Sequence, residues 1–183
     1  EGDSPVSLAP FLGRAGRRAT IRDVHRLCVD EVGDPPVFVK PVTGQKCFDG
    51  HVVRTYRALI RTAGYLTQAP DHPVWISEVV AFASEHRYFV NRGEVVGVGF
   101  YKGDPLLRPD GNVVRQAAKV FVASGEAPVS FCLDFGVTPT GETLLVEIND
   151  GFAFGSYGLG HISHANMLED RWLEMVGIPL RTR

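Results

Sequence analysis

Between residues 129 and 150 the chain reads VSFCLDFGVTPTGETLLVEIND, two strand-like runs around a Pro-Thr-Gly-Glu break. Alternating apolar, β-branched and aromatic residues on both sides of a turn signal predict an antiparallel hairpin. With Thr140-Gly141 as a two-residue loop, opposed residues have numbers that sum to 281, and Asp134 faces Glu147. Asn149 lies two residues beyond Glu147 and so projects from the same face. The other face is then Phe131, Leu133 and Phe135 against Leu144, Val146 and Ile148. Two opposed carboxylates on a largely apolar hairpin repel unless a cation or a shared proton relieves them. The pattern leaves two readings open. One is a solvated acidic face; the other is an all-oxygen trio suited to a hard cation such as Mg²⁺.

The remaining chain is consistent with a globular partner for that hairpin. Its 183 residues suit one domain or two small lobes, and 44% hydrophobic with 22% charged residues excludes a disordered or coiled-coil chain. No apolar run reaches the roughly 18 residues of a membrane span. Nineteen Lys and Arg against 21 Asp and Glu give a net charge of −2, which argues against a surface for nucleic acid. Cys28, Cys47 and Cys132 are odd in number, without CxxC spacing. They predict free thiols in a reducing, cytoplasmic setting rather than disulfides or a structural zinc site. Glu1 opens the chain in place of methionine, as in a processed, truncated or excised segment.

Residues 1–14 read as an irregular arm, followed by a helix capped by Thr20 with Asp23. Short β-rich runs follow at VFVKPV, CFDGHVV and VWISEVV, with a helix over 54–63 whose Tyr56, Leu59 and Ile60 share a face. Further strands are expected at 88–90 and 94–101. A helix over 113–124 should turn Val114, Ala117, Ala118 and Phe121 inward. A last helix over 161–176 carries a stripe of Ile162, Ala165, Leu168, Trp172 and Met175. Strands and helices mix without strict βαβ alternation, so the class is α+β.

Several groups carry candidate chemistry, each beside a plainer alternative. Lys40 ends an apolar strand and Lys46 follows Gly44 in a short turn; both can ride over phosphates, or they are solvated hairpin lysines. Glu85 and Arg87 share a face if extended, either as a surface pair or with Arg87 and Lys102 as phosphate cations. NDGFAFGSYGLGH places Gly151, Gly155, Gly158 and Gly160 ahead of the last helix, a loop able to hold an oxyanion. His161 and His164 are an acid–base or metal pair, or ordinary surface histidines at a helix start. His86 should point away from Arg87, and Cys132 is read as packing.

In their order, VFVKP, the Gly-Lys turn, ISEVV, SEHRYFV, a strand ending in Lys102, LDFGV and VEIND resemble the ATP-grasp superfamily over residues 37–176. SEHRYFV, FVKP and VEINDGFAFGSYGL look like its clade named for one arginine and two lysines. The resemblance implies a nucleotide clamped between two α+β lobes, with an antiparallel sheet in the larger. The chain is expected to divide into an N-terminal arm and helix (1–36), a possible remnant of a preceding domain, and, by the resemblance, a small lobe (37–84) and a large lobe with the metal site (85–183). By the same analogy Lys40 contacts the α- and β-phosphates and the Thr43–Lys46 turn, with Gly44 and Lys46, forms a lid. Backbone near Glu78, Val79 and Val80 reads adenine, and Glu85 takes the ribose hydroxyls. Arg87 and Lys102, the catalytic candidates, lie along the β/γ-phosphates and the acyl-phosphate, and Asp134, Glu147 and Asn149 hold Mg²⁺. Gly151, Gly155, Ser156 and Tyr157 line the acceptor site. Arg87 stands where many ATP-grasp ligases carry an uncharged residue. The chain ahead of Val37 is too short for their usual preceding domain, so that domain is missing or the substrate site is minimal.

The expected activity is an ATP-dependent ligase joining a small-molecule or peptide carboxylate to an amine through an acyl-phosphate, releasing ADP and phosphate. The alternatives are a phosphotransferase of the same fold and a non-catalytic nucleotide- or partner-binding module.

Overall fold

The computed structural model describes residues 5–29, 36–42, 48–64 and 69–182. The chain divides into two compact units, Arg14–Val80 and Ala81–Arg183, and residues 5–13 belong with the second. Both are antiparallel sheets with helices packed on them, an α+β architecture. Among the described residues no helix is long and apolar enough to cross a membrane.

The first unit is built from β1 (Gly16–Thr20), α1 (Ile21–Val29), β2 (Val37–Pro41), β3 (His51–Val53), α2 (Tyr56–Ala63) and β4 (Pro73–Glu78), with strand order β1-β4-β2-β3. The expected cap of α1 forms as a reciprocal box: the Thr20 amide donates to Asp23 Oδ2 (2.9 Å) and the Asp23 amide to Thr20 Oγ1 (3.2 Å). Thr55 caps α2, whose Ala58 amide donates to its hydroxyl at 3.2 Å. Val24, Val39, Leu59 and Val74 are fully buried between helices and sheet. Ile60, expected beside Leu59 on the inner face, is instead exposed. The segment 1–36, expected as an arm and helix, also supplies β1 to this sheet. Its GRRAT sequence hid the strand, because an edge strand with two arginines lacks the apolar alternation that marks strands.

The second unit begins with a 3₁₀ turn at Val6–Phe11 and holds β5 (Ser84–Asn91), β6 (Glu94–Gly103), α3 (Gly111–Ala123), β7 (Ser130–Val137), β8 (Thr143–Asp150) and α4 (His161–Met175). The strand order is β6-β5-β7-β8, and all eight residues of the inner strand β7 are buried. One face of the sheet packs α3 through Val114, Ala117, Ala118 and Phe121, as the sequence predicts, with Leu8 of the 3₁₀ turn in the same cluster. Phe121 meets Phe131 edge-on at 5.0 Å between centroids. The opposite face packs Phe89 and Cys132 with Leu159 and Met167.

α4 does not bury the stripe expected of it. Ile162, Trp172 and Met175 are exposed, and the inward positions are Met167, Asp170 and Leu173. The reason is an ion pair. Asp170, fully buried, accepts Arg92 Nε and Nη2 at 2.8 Å each and Asn91 Nδ2 at 2.9 Å. A second fork, Arg171 Nε and Nη2 on Asp150 at 2.6 and 2.7 Å, ties the helix to the end of β8. Charged groups rather than the longest apolar stripe choose the face that α4 presents to the sheet.

Candidate functional site

The acidic hairpin forms, and Asp134 faces Glu147. The route differs from the expected two-residue loop. Gly141 N donates to the Thr138 carbonyl (2.9 Å) and Thr138 N to the Glu142 carbonyl (2.9 Å), so the loop has three residues with Gly141 at φ +89°. Pairs near the turn therefore sum to 280, as in Phe135 with Leu145. A bulge at Val146 adds one residue, after which Asp134–Glu147, Leu133–Ile148 and Cys132–Asn149 sum to 281. Without that bulge Asp134 would face Val146. The same slip changes the apolar face: Leu145 is fully buried in the core in place of the predicted Leu144 and Val146.

Three strands bring the polar cluster together. Arg87 on β5 pairs with Asp134 on β7, which pairs with Glu147 on β8. Arg87 is 5% exposed and forks onto Asp134, Nε to Oδ1 at 2.8 Å and Nη2 to Oδ2 at 2.6 Å. Asn149 Nδ2 donates to Asp134 Oδ2 and to Glu147 Oε1, both at 3.1 Å. Glu147 Oε1 is 3.9 Å from Arg87 Nη2, and its side chain is 46% exposed. Arg87 is thus neither solvated nor a partner of Glu85; it is the cation that the opposed carboxylates require. Burial pushes Asp134 up to about 6 against the pull of Arg87, and Glu147 adds to the rise. Arg87 itself is held charged by its bonds to Asp134.

The glycine-rich loop lies over this cluster. The Arg87 guanidinium sits 4.9 Å from the Tyr157 ring centre and 5.3 Å from that of Tyr101, and the two rings are 5.0 Å apart. A side chain at Gly99 on β6 would collide with the Tyr157 carbonyl, and one at Gly97 with Leu159. The bare strip of β6 is therefore what admits the loop. Gly151 is equally confined against the Ser130 backbone, while Tyr157 itself takes φ +41°. Tyr101 is absent from the sequence candidates. Its signal was present in GVGFY, where two glycines and a tyrosine recur on one strand face.

A second bulge sets Lys102. Arg87 pairs with Gly99 and His86 with Phe100, but Glu85 pairs with Lys102, leaving Tyr101 as the extra residue. Lys102 Nζ accordingly stands 3.7 Å from Glu85 Oε1. Gly136, opposite Glu85, leaves room for Phe82. His86 points away, as expected, with its ring 5.5 Å from Phe100. His164 Nε2 lies 3.1 Å from the Phe154 carbonyl, and no group of three or more His, Cys, Asp or Glu suited to a metal occurs among the described residues. Cys28 and Cys132 are free thiols, and burial pushes the Cys132 thiol up to about 12, as fits packing.

The first unit holds the other candidates. Lys40 is on β2 opposite Trp75, and Glu78 ends β4 with its Oε2 accepting the Ala15 amide at 2.8 Å. Val79 and Val80 follow β4 as irregular chain. A pocket of about 280 Å³ in this unit is lined by Gly16, Leu27, Val37, Ile76, Ser77 and Glu78, among others. Gly44, Lys46 and Cys47 lie outside the described residues.

Comparison with known proteins bears on the whole arrangement. The ATP-grasp domain model for family 2 of the clade named for one arginine and two lysines matches residues 11–167. No curated protein matches significantly. Similar solved structures include N5-carboxyaminoimidazole ribonucleotide synthetase, purK, in its ADP complex: 18% identity, TM-score 0.60, 94% of this chain and 49% of that one. D-alanine–D-alanine ligase from Bacillus anthracis matches at 16% identity and TM-score 0.58, covering 91% of this chain and 64% of that one. The ATP-grasp ligase PsnB, complexed with a minimal precursor, Mg and ADP, matches at 14% and 0.56, covering 89% and 55%. The chain thus spans about half to two-thirds of the structures it resembles.

Proposed function

The chain belongs to the ATP-grasp domain family, in family 2 of the clade named for one arginine and two lysines, and on that footing we propose that it is an ATP-dependent carboxylate–amine ligase acting through an acyl-phosphate. The observation that carries the proposal is the cluster of Arg87, Asp134, Glu147 and Asn149 on one sheet face beneath the Tyr157 loop. PsnB, purK and D-alanine–D-alanine ligase support the ligase chemistry by fold alone.

Asp134, Glu147 and Asn149 would hold Mg²⁺. The donor set fits, because Asp134, Glu147 and Asn149 offer a hard cation only oxygens, and two carboxylates opposed across the hairpin favour a positive centre between them. Bound there, Mg²⁺ supplies neutralisation of phosphate charge during transfer. Arg87 and Lys102 would line the β/γ-phosphates, and Glu85 would take the ribose hydroxyls. Lys40 would contact the α- and β-phosphates, with Gly44 and Lys46 as the lid and the backbone of Glu78, Val79 and Val80 against adenine. Gly151, Gly155, Ser156 and Tyr157 would border the acceptor and shield the acyl-phosphate from water.

In this reaction a substrate carboxylate oxygen attacks the γ-phosphorus and ADP departs; the amine then attacks the acyl carbon and phosphate leaves. The side chains position and neutralise, and none needs to act as a nucleophile. The odd number of cysteines without CxxC spacing supports a cytoplasmic setting.

The test is ADP release across a panel of carboxylates and amines, singly and paired. Turnover that requires both supports the ligase. Turnover with one acceptor alone replaces it by a phosphotransferase, and nucleotide binding without turnover replaces it by a binding module.

A further inference from the structure

We propose that Arg87 is a resident counter-ion that blocks Asp134 to metal, so that a divalent cation enters only when nucleotide phosphate draws the guanidinium away. The inference rests on the metal reading given above and says how that site is loaded. Both oxygens of Asp134 lie in the Arg87 fork, at 2.8 and 2.6 Å, and Oδ2 also accepts Asn149 at 3.1 Å. The guanidinium takes one lone pair of each Asp134 oxygen and Asn149 takes the second on Oδ2, so a single lone pair on Oδ1 is left for a cation. The charges count the same way. With Arg87 in place the cluster of Arg87, Asp134 and Glu147 carries one net negative charge; without it, two. A dication beside the fork would meet half the attraction and the repulsion of a guanidinium on the same oxygens.

Arg87 is also built to change partners. Its Nη1 has no acceptor among the described residues, while Nε and Nη2 serve Asp134. The faces of Tyr101 and Tyr157, both about 40% exposed, hold the guanidinium at 5.3 and 4.9 Å. A cation against two rings can tilt its donors towards a phosphate without leaving them. Phosphate then takes over the neutralisation of Arg87 and supplies oxygens to the cation, while Asp134 is freed to the same cation. Metal and nucleotide would load as one event.

Mn²⁺ titration of the full chain, followed by electron paramagnetic resonance, tests this with and without a non-hydrolysable ATP analogue. Wild type alone should bind Mn²⁺ at least about tenfold more weakly than wild type with the analogue. Arg87→Gln alone should bind Mn²⁺ at least about tenfold more tightly than wild type alone, and Mg²⁺ without nucleotide should raise its melting temperature but not that of wild type. If Arg87→Gln fails to fold, Arg87→Lys, which keeps the charge but loses the fork, should show a smaller gain in the same direction. Equal nucleotide-free affinity in wild type and variants overturns the inference. If Glu147→Gln nevertheless abolishes the Mn²⁺ bound with the analogue, the metal reading survives that failure. If the analogue brings no Mn²⁺ beyond what it binds in solution, the metal reading falls, and this inference with it.

Discussion

The second unit contains two Arg–Asp forks of nearly the same geometry and different consequence. Arg92 with Asp170 and Arg87 with Asp134 both hold two bonds of 2.6–2.8 Å to a buried carboxylate. Asp170 receives its third donor from Asn91, and Arg92 Nη2 also donates to the Arg181 carbonyl at 2.8 Å. That fork closes on itself and fastens α4. Asp134 instead has Glu147 opposite it across the hairpin and shares the Asn149 amide with it. One arginine therefore faces two acids, half-exposed on one side and roofed by tyrosines. A fork that satisfies its own charges is a fastening; one left with surplus negative charge attracts further positive charge.

The largest effect should come from removing that surplus. Glu147→Gln is expected to lower ADP release by about 10²–10³-fold while leaving the melting temperature nearly unchanged, because the side chain is half-exposed. Activity within a few-fold of wild type would erase the distinction between the forks. The matching change at the fastening, Asp170→Asn, should lower the melting temperature by about 5–15 °C and leave affinity for an ATP analogue unaltered. A loss of nucleotide affinity there would mean that α4 belongs to the site.

A smaller effect separates the forks by pH. The folded value of Asp134, about 6, lies above its ordinary 3.8, so the native chain binds that proton more tightly than the unfolded one. From this group the metal-free protein therefore gains stability as pH falls through about 6 towards 4, and loses it as pH rises. Urea unfolding at pH 5 and pH 7 should show wild type losing stability relative to Asp134→Asn on going to pH 7. A difference that stays constant with pH would show that Arg87 offsets the burial of Asp134 completely.

Much of the site was legible because strand alternation is local. The face shared by Asp134, Glu147 and Asn149, the opposite direction of His86 and the inward face of α3 all follow from period 2 or 3.6 along one segment. The exposed stripe of α4 shows where that logic stops. Ile162, Trp172 and Met175 repeat at helical spacing as a core stripe would, yet Arg92, 78 residues away, claims the opposite side of the helix through Asp170. Periodicity ranks faces by apolarity and has no term for a partner on another element.

The sequence by itself determined most of the strands and the polar face of the hairpin, since backbone pleat and turn chemistry act over a few residues. Only the tertiary structure decided register and partnership: the bulge at Val146 that keeps Asp134 opposite Glu147, the extra residue at Tyr101 that brings Lys102 to Glu85, and the closing of Arg87 onto Asp134 beneath Tyr157. A bulge shifts every later pair by one at little local cost, so it is chosen by how the whole sheet packs rather than by the few residues that form it.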